Sequence, residues 1–326
     1  MDANTLDAKL SGVILGVIVG DLLGEQVEST QNPGLIKKYR SGAKYTDDTE
    51  MTLITLHHLM SLKTIDPLLL ALEYSANFSQ SRKYGGNMAK TLKKIRDYPE
   101  QWLTAYKEFL EDGSWGNGCI MRIAPIALFD LKASDEVLRQ HLTDCLIATH
   151  NHEEALQCSI EYCLVLRDLF MTTTQTIDAD TFLMRTIDRN LNPRLTDKIK
   201  LIHKEIVETH NVSDYKQLFK FINKEVIEFG IRSSDTLAVV MATLAYNAKY
   251  KQWSHTQLLT IIISFGGDTD TNASLLGAMI GALMGIDWID VDWFNHMEDK
   301  KVMLATLQKF KEFLIAEKRV PAPLDT

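Results

Sequence analysis

Apolar residues return along this chain of 326 residues with the spacing of α-helices. They occur at positions i, i+3, i+4 and i+7, the repeat that lines one face of a helix, whereas the strict alternation typical of strands is nearly absent. The pattern predicts helices over residues 6–20, 49–62, 67–80, 87–97, 100–111, 134–148, 153–170, 195–209, 214–229, 234–249, 255–265, 270–285 and 301–317. We therefore expect a compact all-α fold with its helices in several layers.

The chain shows no internal boundary. No linker rich in Pro, Gly or Ser and no run of like charges divides it, so we expect residues 1–326 to form a single domain. The segment 172–196 is rich in Thr, Asp and Asn, and we interpret it as an irregular excursion on the surface.

Glycine recurs at every fourth position in two of the predicted helices. The glycines are Gly12, Gly16 and Gly20 in the first helix and Gly277, Gly281 and Gly285 in the one near the C-terminus. This spacing places the glycines on one helical face, where the missing side chains let another backbone approach closely. We expect these two helices to pack together at the centre of the fold.

Composition and charge narrow the classes of partner. The chain is 45% hydrophobic and 24% charged, which is ordinary for a globular protein. Its net charge of -8 argues against nonspecific binding to nucleic acid or to an anionic membrane, both of which need a basic surface. The cysteines have no CxxC spacing and there is no signal-peptide pattern, so we expect a reduced, cytoplasmic protein. No heptad pattern stands out, and we expect a monomer.

Thr46, Asp47 and Asp48 form the first of two acidic clusters. Taken alone, the cluster is most simply a helix start, with Thr46 or Asp47 as N-cap and Glu50 completing a capping box. Carboxylates this close together repel one another unless protons or cations intervene. A divalent metal ion is therefore the alternative interpretation.

Asp268, Asp270 and Thr271 form the second cluster, between two strongly apolar stretches. The alternating acids resemble the start of an EF-hand loop, but Ala273 stands where that loop needs Gly and Met279 where it needs Glu. No Lys or Arg lies nearby in the sequence, and burying unpaired carboxylates is costly. If the fold joins the two clusters, they form an all-oxygen site suited to a hard divalent cation.

Other motifs are weaker. Asp21 and Glu28 form a third acidic site, which is equally compatible with a solvated helix end. The stretch from His150 resembles a zinc-protease motif, but Leu156 replaces its second histidine. The glycine-rich tract 115–119 can offer backbone N–H groups to a phosphate, although such a tract is more often only a turn.

Several blocks together resemble the ADP-ribosylglycohydrolase family, especially its bacterial branch of dinitrogenase reductase-activating glycohydrolases. The blocks, in chain order, are GVIVGDLLGEQVE (16–28), YTDDTEMTL (45–53), YGGN (84–87), GNGCIMRIAPIAL (116–128), THNHEEAL (149–156), SSDTLAVVMATLAY (233–246) and GGDTDTNASLLGAMIGALMG (266–285). They extend over nearly the whole chain and are highly specific as a set. The resemblance implies an all-α fold with a binuclear centre of two Mg²⁺ or Mn²⁺ ions. It also implies cleavage of the glycosidic bond between ADP-ribose and a modified protein side chain, with ADP-ribose as product.

The resemblance also implies roles for individual residues. Metal ligands are expected at Thr46, Asp47, Asp48, Asp268, Asp270 and Thr271. Catalytic roles are expected for Glu28, Asp47 and Asp270. Substrate contacts are expected from Asp21, Gly85, Asn87, Asn117, Gly118, Met121 and His150.

One position departs from the family pattern. Some bacterial relatives place an acidic residue, the expected proton donor, just before the turn that matches YGGN, whereas this chain has Tyr84 there, preceded by Lys83. Either Glu28 supplies the proton or the substrate differs.

The GDTDTN block favours ADP-ribosyl-arginine on a protein as the substrate. ADP-ribosyl-serine, O-acetyl-ADP-ribose and a modified nucleic-acid end stay open. Two other classes are also open: a catalytically silent binding or structural relative, against which the intact acidic set argues, and a two-metal phosphohydrolase. The phosphohydrolase would release phosphate or AMP instead of intact ADP-ribose.

Overall fold

The computed structural model describes residues 1–28, 42–212, 214–228 and 230–322. Within these residues the fold is all-α, as the sequence predicts, and contains no β-strand. The α-helices are α1 (Ala3–Gly24), α2 (Asp47–Leu62), α3 (Pro67–Asn77), α4 (Gly86–Asp97), α5 (Ala124–Phe129), α6 (Asp135–Leu146), α7 (Glu153–Met171), α8 (Ala179–Arg189), α9 (Pro193–His203), α10 (Tyr215–Phe221), α11 (Ser233–Tyr250), α12 (His255–Ser264), α13 (Thr269–Met284), α14 (Val291–Asn295) and α15 (Lys300–Ala316).

Short polar side chains set many of the helix starts. Asp66 caps α3 by accepting a hydrogen bond from the backbone N–H of Leu69 at 2.9 Å, and a proline follows it at the first helical position. Ser254 and Gln257 form a complete capping box at the start of α12. These local signals explain why the predicted and observed boundaries agree closely for such helices.

Two sequence-based predictions about secondary structure are wrong. Residues 100–111 do not form an α-helix; they contain the short 3₁₀ segments Pro99–Gln101 and Ala105–Glu108, separated by a non-helical Thr104. The segment 172–196 is not irregular throughout, because α8 lies within it. Asp178 caps α8, and its buried residues Ala179, Phe182, Leu183 and Thr186 recur at helical spacing. The surrounding polar residues obscured this short amphipathic helix.

The predicted pairing of the two glycine-lined helices is confirmed. α1 and α13 lie against each other so closely that a Cβ at Gly16 would stand 2.1 Å from the carbonyl oxygen of Gly277, and one at Gly12 would stand 2.3 Å from that of Gly285. At the other end of the pair, a Cβ at Gly24 would meet the Thr269 oxygen at 2.2 Å. The helices are therefore antiparallel, and the C-terminal end of α1 lies beside the N-terminal end of α13.

This helix pair forms the centre of the core. Every residue from Lys9 to Gly24 and from Thr269 to Leu283 is buried. Helices that are surrounded on all sides need no polar face, which explains their nearly continuous apolar sequence. The polar residues of α13 lie in its first turns, and the buried Asp21 of α1 lies at the same end of the pair, where the functional site is found.

Candidate metal centre and ligand cavity

A cavity of about 790 Å³ opens at this end of the central helix pair. Its walls come from five parts of the chain: the end of α1, the start of α2, the turn into α4, the loop before α5 with the residues that face it, and the start of α13. Of the predicted site residues, the cavity is lined by Glu28, Asp47, Gly85, Asn87, Asn117, Gly118, Met121, His150, Asp268, Asp270 and Thr271. Residues far apart in sequence therefore meet around one space.

The first acidic cluster is held in place by Asp21. This carboxylate is fully buried and accepts hydrogen bonds from the backbone N–H of Thr46 at 3.0 Å, from the Thr46 hydroxyl at 2.8 Å and from the N–H of Thr49 at 3.1 Å. Burial raises the pKa of Asp21 to about 6, although the hydrogen bonds from Thr49 and Thr46 oppose the shift. Asp21 does not line the cavity, so the predicted substrate contact does not fit the structure. It orients the start of α2 instead.

Thr46 is the N-cap of α2, as predicted, but the predicted capping box is wrong. The Thr46 side chain accepts a hydrogen bond from the N–H of Asp48. Glu50 does not reach back to Thr46; its carboxylate accepts hydrogen bonds from the Tyr84 hydroxyl at 2.7 Å and from the N–H of Ser79 at 3.4 Å. Glu50 thus connects α2 by hydrogen bonds to the segment before α4.

The two acidic clusters meet. The Thr271 hydroxyl donates a hydrogen bond to Asp48 Oδ2 at 3.1 Å, joining residues that are 223 positions apart in sequence. Asp48 Oδ1 is buried and has no hydrogen-bond partner among the described residues. Carboxylate oxygens of Glu28, Asp268 and Asp270 lie within 4.8 Å of one another. Such a group of converging oxygens is a suitable ligand set for a divalent cation.

The electrostatics of the cluster also favour a bound cation. Burial raises the pKa of Asp47, Asp48 and Asp270 well above the ordinary value for aspartate, and repulsion from neighbouring carboxylates raises it further. In the described part of the chain no lysine or arginine pairs with these three residues or with Asp268. Unpaired buried carboxylates are costly, and Asp48 Oδ1 is a buried oxygen that no described residue satisfies. The residues present therefore fit divalent metal ions.

Glu28 lies on the cavity wall beside Lys83. The Lys83 ammonium contacts Glu28 Oε2 at 2.9 Å and Glu25 Oε1 at 3.0 Å. Burial alone would lower the pKa of Lys83, but the hydrogen bonds to the two glutamates outweigh it and raise the pKa. The residue that departs from the family pattern, Tyr84, is buried against Glu50 and does not line the cavity. The cavity instead receives a cation from Lys83, the residue that precedes Tyr84.

The loop opposite the acidic clusters is fixed by backbone hydrogen bonds. The N–H of Asn117 donates to the Ile231 carbonyl at 2.8 Å, and the N–H of Ser233 donates to the Trp115 carbonyl at 3.1 Å. The Asn117 side-chain amide donates to Asp268 Oδ2 at 2.6 Å. The amide therefore ties the glycine-rich loop directly to the second acidic cluster.

Several lining residues were not predicted from the sequence. They are Lys83, Gly86, Met88, Leu110, Ser114, Trp115, Gly116, Gly230, Ile231 and Gly267. Trp115 belongs to the glycine-rich tract that the sequence singles out, and the Arg232 guanidinium lies 4.8 Å from its ring centre. Leu110 and Ile231 have no motif around them, so only the tertiary structure could place them here.

Comparison with known proteins gives a consistent result. A family model described as ADP-ribosylglycohydrolase matches residues 2–321. The chain is 22% identical over 330 residues to ADP-ribosylhydrolase ARH3 of Danio rerio, covering 88% of this chain and 85% of that protein. It is 24% identical over 302 residues to the ADP-ribosyl-(dinitrogen reductase) glycohydrolase of Rhodospirillum rubrum, covering 89% of this chain and 90% of that protein.

Solved structures agree with this result at the level of the fold. The chain superposes on an ADP-ribosylglycohydrolase-related protein complex with a TM-score of 0.68 at 22% identity, covering 95% of this chain and 98% of the other. Within the described residues, none of the helices combines the length and the apolar character that crossing a membrane requires.

Proposed function

The chain belongs to the ADP-ribosylglycohydrolase family, and we propose that it uses a binuclear metal centre to remove ADP-ribose from modified protein side chains. The reaction would be hydrolysis of the glycosidic bond, with intact ADP-ribose and the unmodified side chain as products. As a member of this family, the protein is a glycosidase-type hydrolase.

The observation that carries the proposal is the contact between the two acidic clusters on the wall of a ligand-sized cavity. Thr271 and Asp48 join clusters from opposite ends of the chain. The cavity of about 790 Å³ lies within the range of small-molecule sites and has a glycine-rich loop facing the acids. A silent structural relative would have no need to keep unpaired carboxylates buried at this cost.

We assign the metal ligands to the two clusters. Thr46, Asp47 and Asp48 would contribute from the start of α2, and Asp268, Asp270 and Thr271 from the start of α13. Bound Mg²⁺ or Mn²⁺ ions would neutralise the carboxylates and act as Lewis acids toward ligand oxygens. Oxygen ligands of this kind suit both metals.

The protein's own residues would then bind the substrate and move protons. We propose Glu28 as the residue that exchanges a proton with water or with the leaving group, because it lies on the cavity wall next to Asp268 and Asp270. Lys83 contacts Oε2 of Glu28, so the exchange would take place at Oε1. The transition state carries positive charge on the sugar, as in other glycosidases, and the nearby carboxylates would stabilise it.

Two leaving groups are proposed for the linkage. The first is arginine, as the sequence predicts. The name of one relative gives ADP-ribosylated dinitrogen reductase as its protein substrate. The second is an oxygen-linked side chain such as serine, and it is favoured by the position of Lys83. This ammonium pairs with Glu28 on the cavity wall, where it would occupy a carboxylate oxygen that could otherwise pair with the guanidinium of a modified arginine.

Mass spectrometry of defined peptides tests the function and the linkage together. One peptide carries ADP-ribosyl-arginine and the other ADP-ribosyl-serine, and each is incubated with the protein and Mg²⁺ or with EDTA. We expect metal-dependent release of intact ADP-ribose from at least one peptide, loss of release in Asp270→Asn, and unchanged release in Asp188→Asn, whose side chain is exposed on α8. Release of AMP or phosphate would instead support a phosphohydrolase.

A further inference from the structure

Arg122 is fully buried and has no carboxylate partner in the described part of the chain. Its guanidinium carbon lies 4.9 Å from the ring centre of Tyr74, and its NH1 group lies 3.7 Å from the sulfur of Met51. Its NH2 group donates a hydrogen bond to the Thr149 hydroxyl at 2.7 Å. A buried charge without a counter-ion is costly, so we infer that the hydrogen bonds of Arg122 have a specific role in the site.

The hydrogen bonds of Arg122 determine how His150 can be protonated. Arginine only donates, so Thr149 accepts from it and has its own hydroxyl hydrogen available for another acceptor. His150 Nδ1 lies 3.0 Å from the Thr149 oxygen and 3.5 Å from Arg122 NH2. An Nδ1–H would face the guanidinium hydrogens of Arg122, which can only donate, whereas an unprotonated Nδ1 can accept from the Thr149 hydroxyl, so the arrangement favours Nδ1 as the acceptor. In a neutral imidazole the proton then resides on Nε2.

The imidazole is kept neutral by its surroundings. Burial lowers the pKa of His150 well below the ordinary value for histidine, and the positive charge of Arg122 lowers it further. The doubly protonated ring, which would place an N–H opposite the guanidinium, is disfavoured for the same reason.

Nε2 lies at the cavity edge of the ring. His150 and Gly118 both line the cavity, and a Cβ at Gly118 would stand 2.8 Å from His150 Nε2. Gly118 thus leaves open the space beside this nitrogen. No residue in the described ranges provides a hydrogen-bond partner for Nε2, so its hydrogen is available to a ligand.

We propose that Arg122 and Thr149 are positioning residues that hold His150 in the Nε2–H form, so that it donates a hydrogen bond to an oxygen of the bound ADP-ribose. The identity of the ligand rests on the proposed function, whereas the form of the imidazole follows from the three side chains alone. An uncharged donor fits ribose hydroxyl and phosphate oxygens equally, and it accepts no hydrogen bond from the ligand.

Nitrogen NMR of the histidine rings tests the positioning in the wild-type protein. The His150 signals are assigned by their absence in His150→Gln. We expect the signals of a neutral ring with the proton on Nε2, unchanged across the range from about pH 6 to about pH 8 where free histidine titrates. A ring protonated on Nδ1, or a charged ring near neutral pH, would overturn the proposal.

Binding measurements with ADP-ribose test the consequence. Thr149→Val removes the hydroxyl but keeps the shape, and we expect about fivefold to tenfold weaker binding with a matching rise in KM and little change in kcat. Thr149→Ser keeps the hydroxyl and should restore both the affinity and the NMR signals. Wild-type affinity and unchanged His150 signals in a folded Thr149→Val would refute the role of Thr149. A wild-type protein that fails to bind ADP-ribose would refute the proposed function and the ligand contact, while the NMR result would still decide the form of the ring.

Discussion

Replacement of Gly16 by alanine tests whether the contact between α1 and α13 controls the site. The new Cβ would stand 2.1 Å from the Gly277 oxygen and 2.4 Å from the Gly277 carbonyl carbon, both of which are backbone atoms. Ordinary contacts between carbon atoms begin at about 3.5 Å, so the helices must separate by about 1 Å. Overpacking of a core costs about 1–3 kcal/mol of unfolding free energy. Because the atoms that a Cβ at Gly16 would meet belong to the backbone and cannot move aside as a side chain can, we expect the cost at the upper end of this range or above it.

The assay is urea unfolding followed by circular dichroism, with Gly86→Ala as the matched control. A Cβ at Gly86 meets nothing within 4 Å, and Gly86 begins a helix, so alanine there should be neutral or stabilise slightly. We expect Gly16→Ala to lose about 3 kcal/mol or more of unfolding free energy. We also expect weaker metal binding, because the same helix contact sets the ends of α1 and α13 beside each other. A loss below about 1 kcal/mol with unchanged metal affinity would refute the reasoning.

Three further predictions concern the site itself. Thr271→Val removes the hydroxyl that bonds to Asp48 at 3.1 Å, and it should weaken metal binding about tenfold by calorimetry, whereas Thr271→Ser should not. Gly118→Ala places a Cβ 2.8 Å from His150 Nε2, so ADP-ribose binding should fall by at least tenfold while the melting temperature changes little; wild-type binding would contradict the position of the imidazole ring beside Gly118. In EDTA, burial raises the pKa of Asp48 in the folded protein above its value in the unfolded chain. The folded protein therefore binds this proton more tightly, and the resulting contribution to the free energy of unfolding is present in acid and is lost as the pH rises. The free energy of unfolding of Asp48→Asn should therefore rise relative to that of the wild type as the pH increases from about 4 to about 7 without metal. The same difference between variant and wild type at both pH values would contradict the burial of this carboxylate.

The sequence was sufficient to predict the helical fold and the central helix pair, which rest on apolar spacing and on glycine at every fourth position. The meeting of the acidic clusters was a condition of the metal hypothesis, and the tertiary structure is what shows it. Burial of Asp270 could be expected because the sequence on either side of it is too apolar for a surface helix, whereas Asp48 lies in a polar stretch that carries no such signal.

Features that depend on contacts between distant segments were not predictable. Asp21 was expected to contact substrate, but its environment is set by the packing of α1 against α2, where Thr46 and Thr49 use its oxygens. Lys83 was noted only as a departure from the family pattern, and its place beside Glu28 depends on how the turn before α4 folds back over α1. Both residues were noted in the sequence, but their partners could be found only in the tertiary structure.

Manganese binding measured by electron paramagnetic resonance tests the central claim most directly, because the signal reports how many ions bind and whether they lie close together. The account predicts two coupled Mn²⁺ ions per chain, loss of the coupled signal in Asp48→Asn and in Asp270→Asn, and no change in Asp188→Asn. A coupled signal that survives both cluster substitutions, or the absence of tight Mn²⁺ binding to the wild type, would contradict the metal centre that we assign to the two acidic clusters.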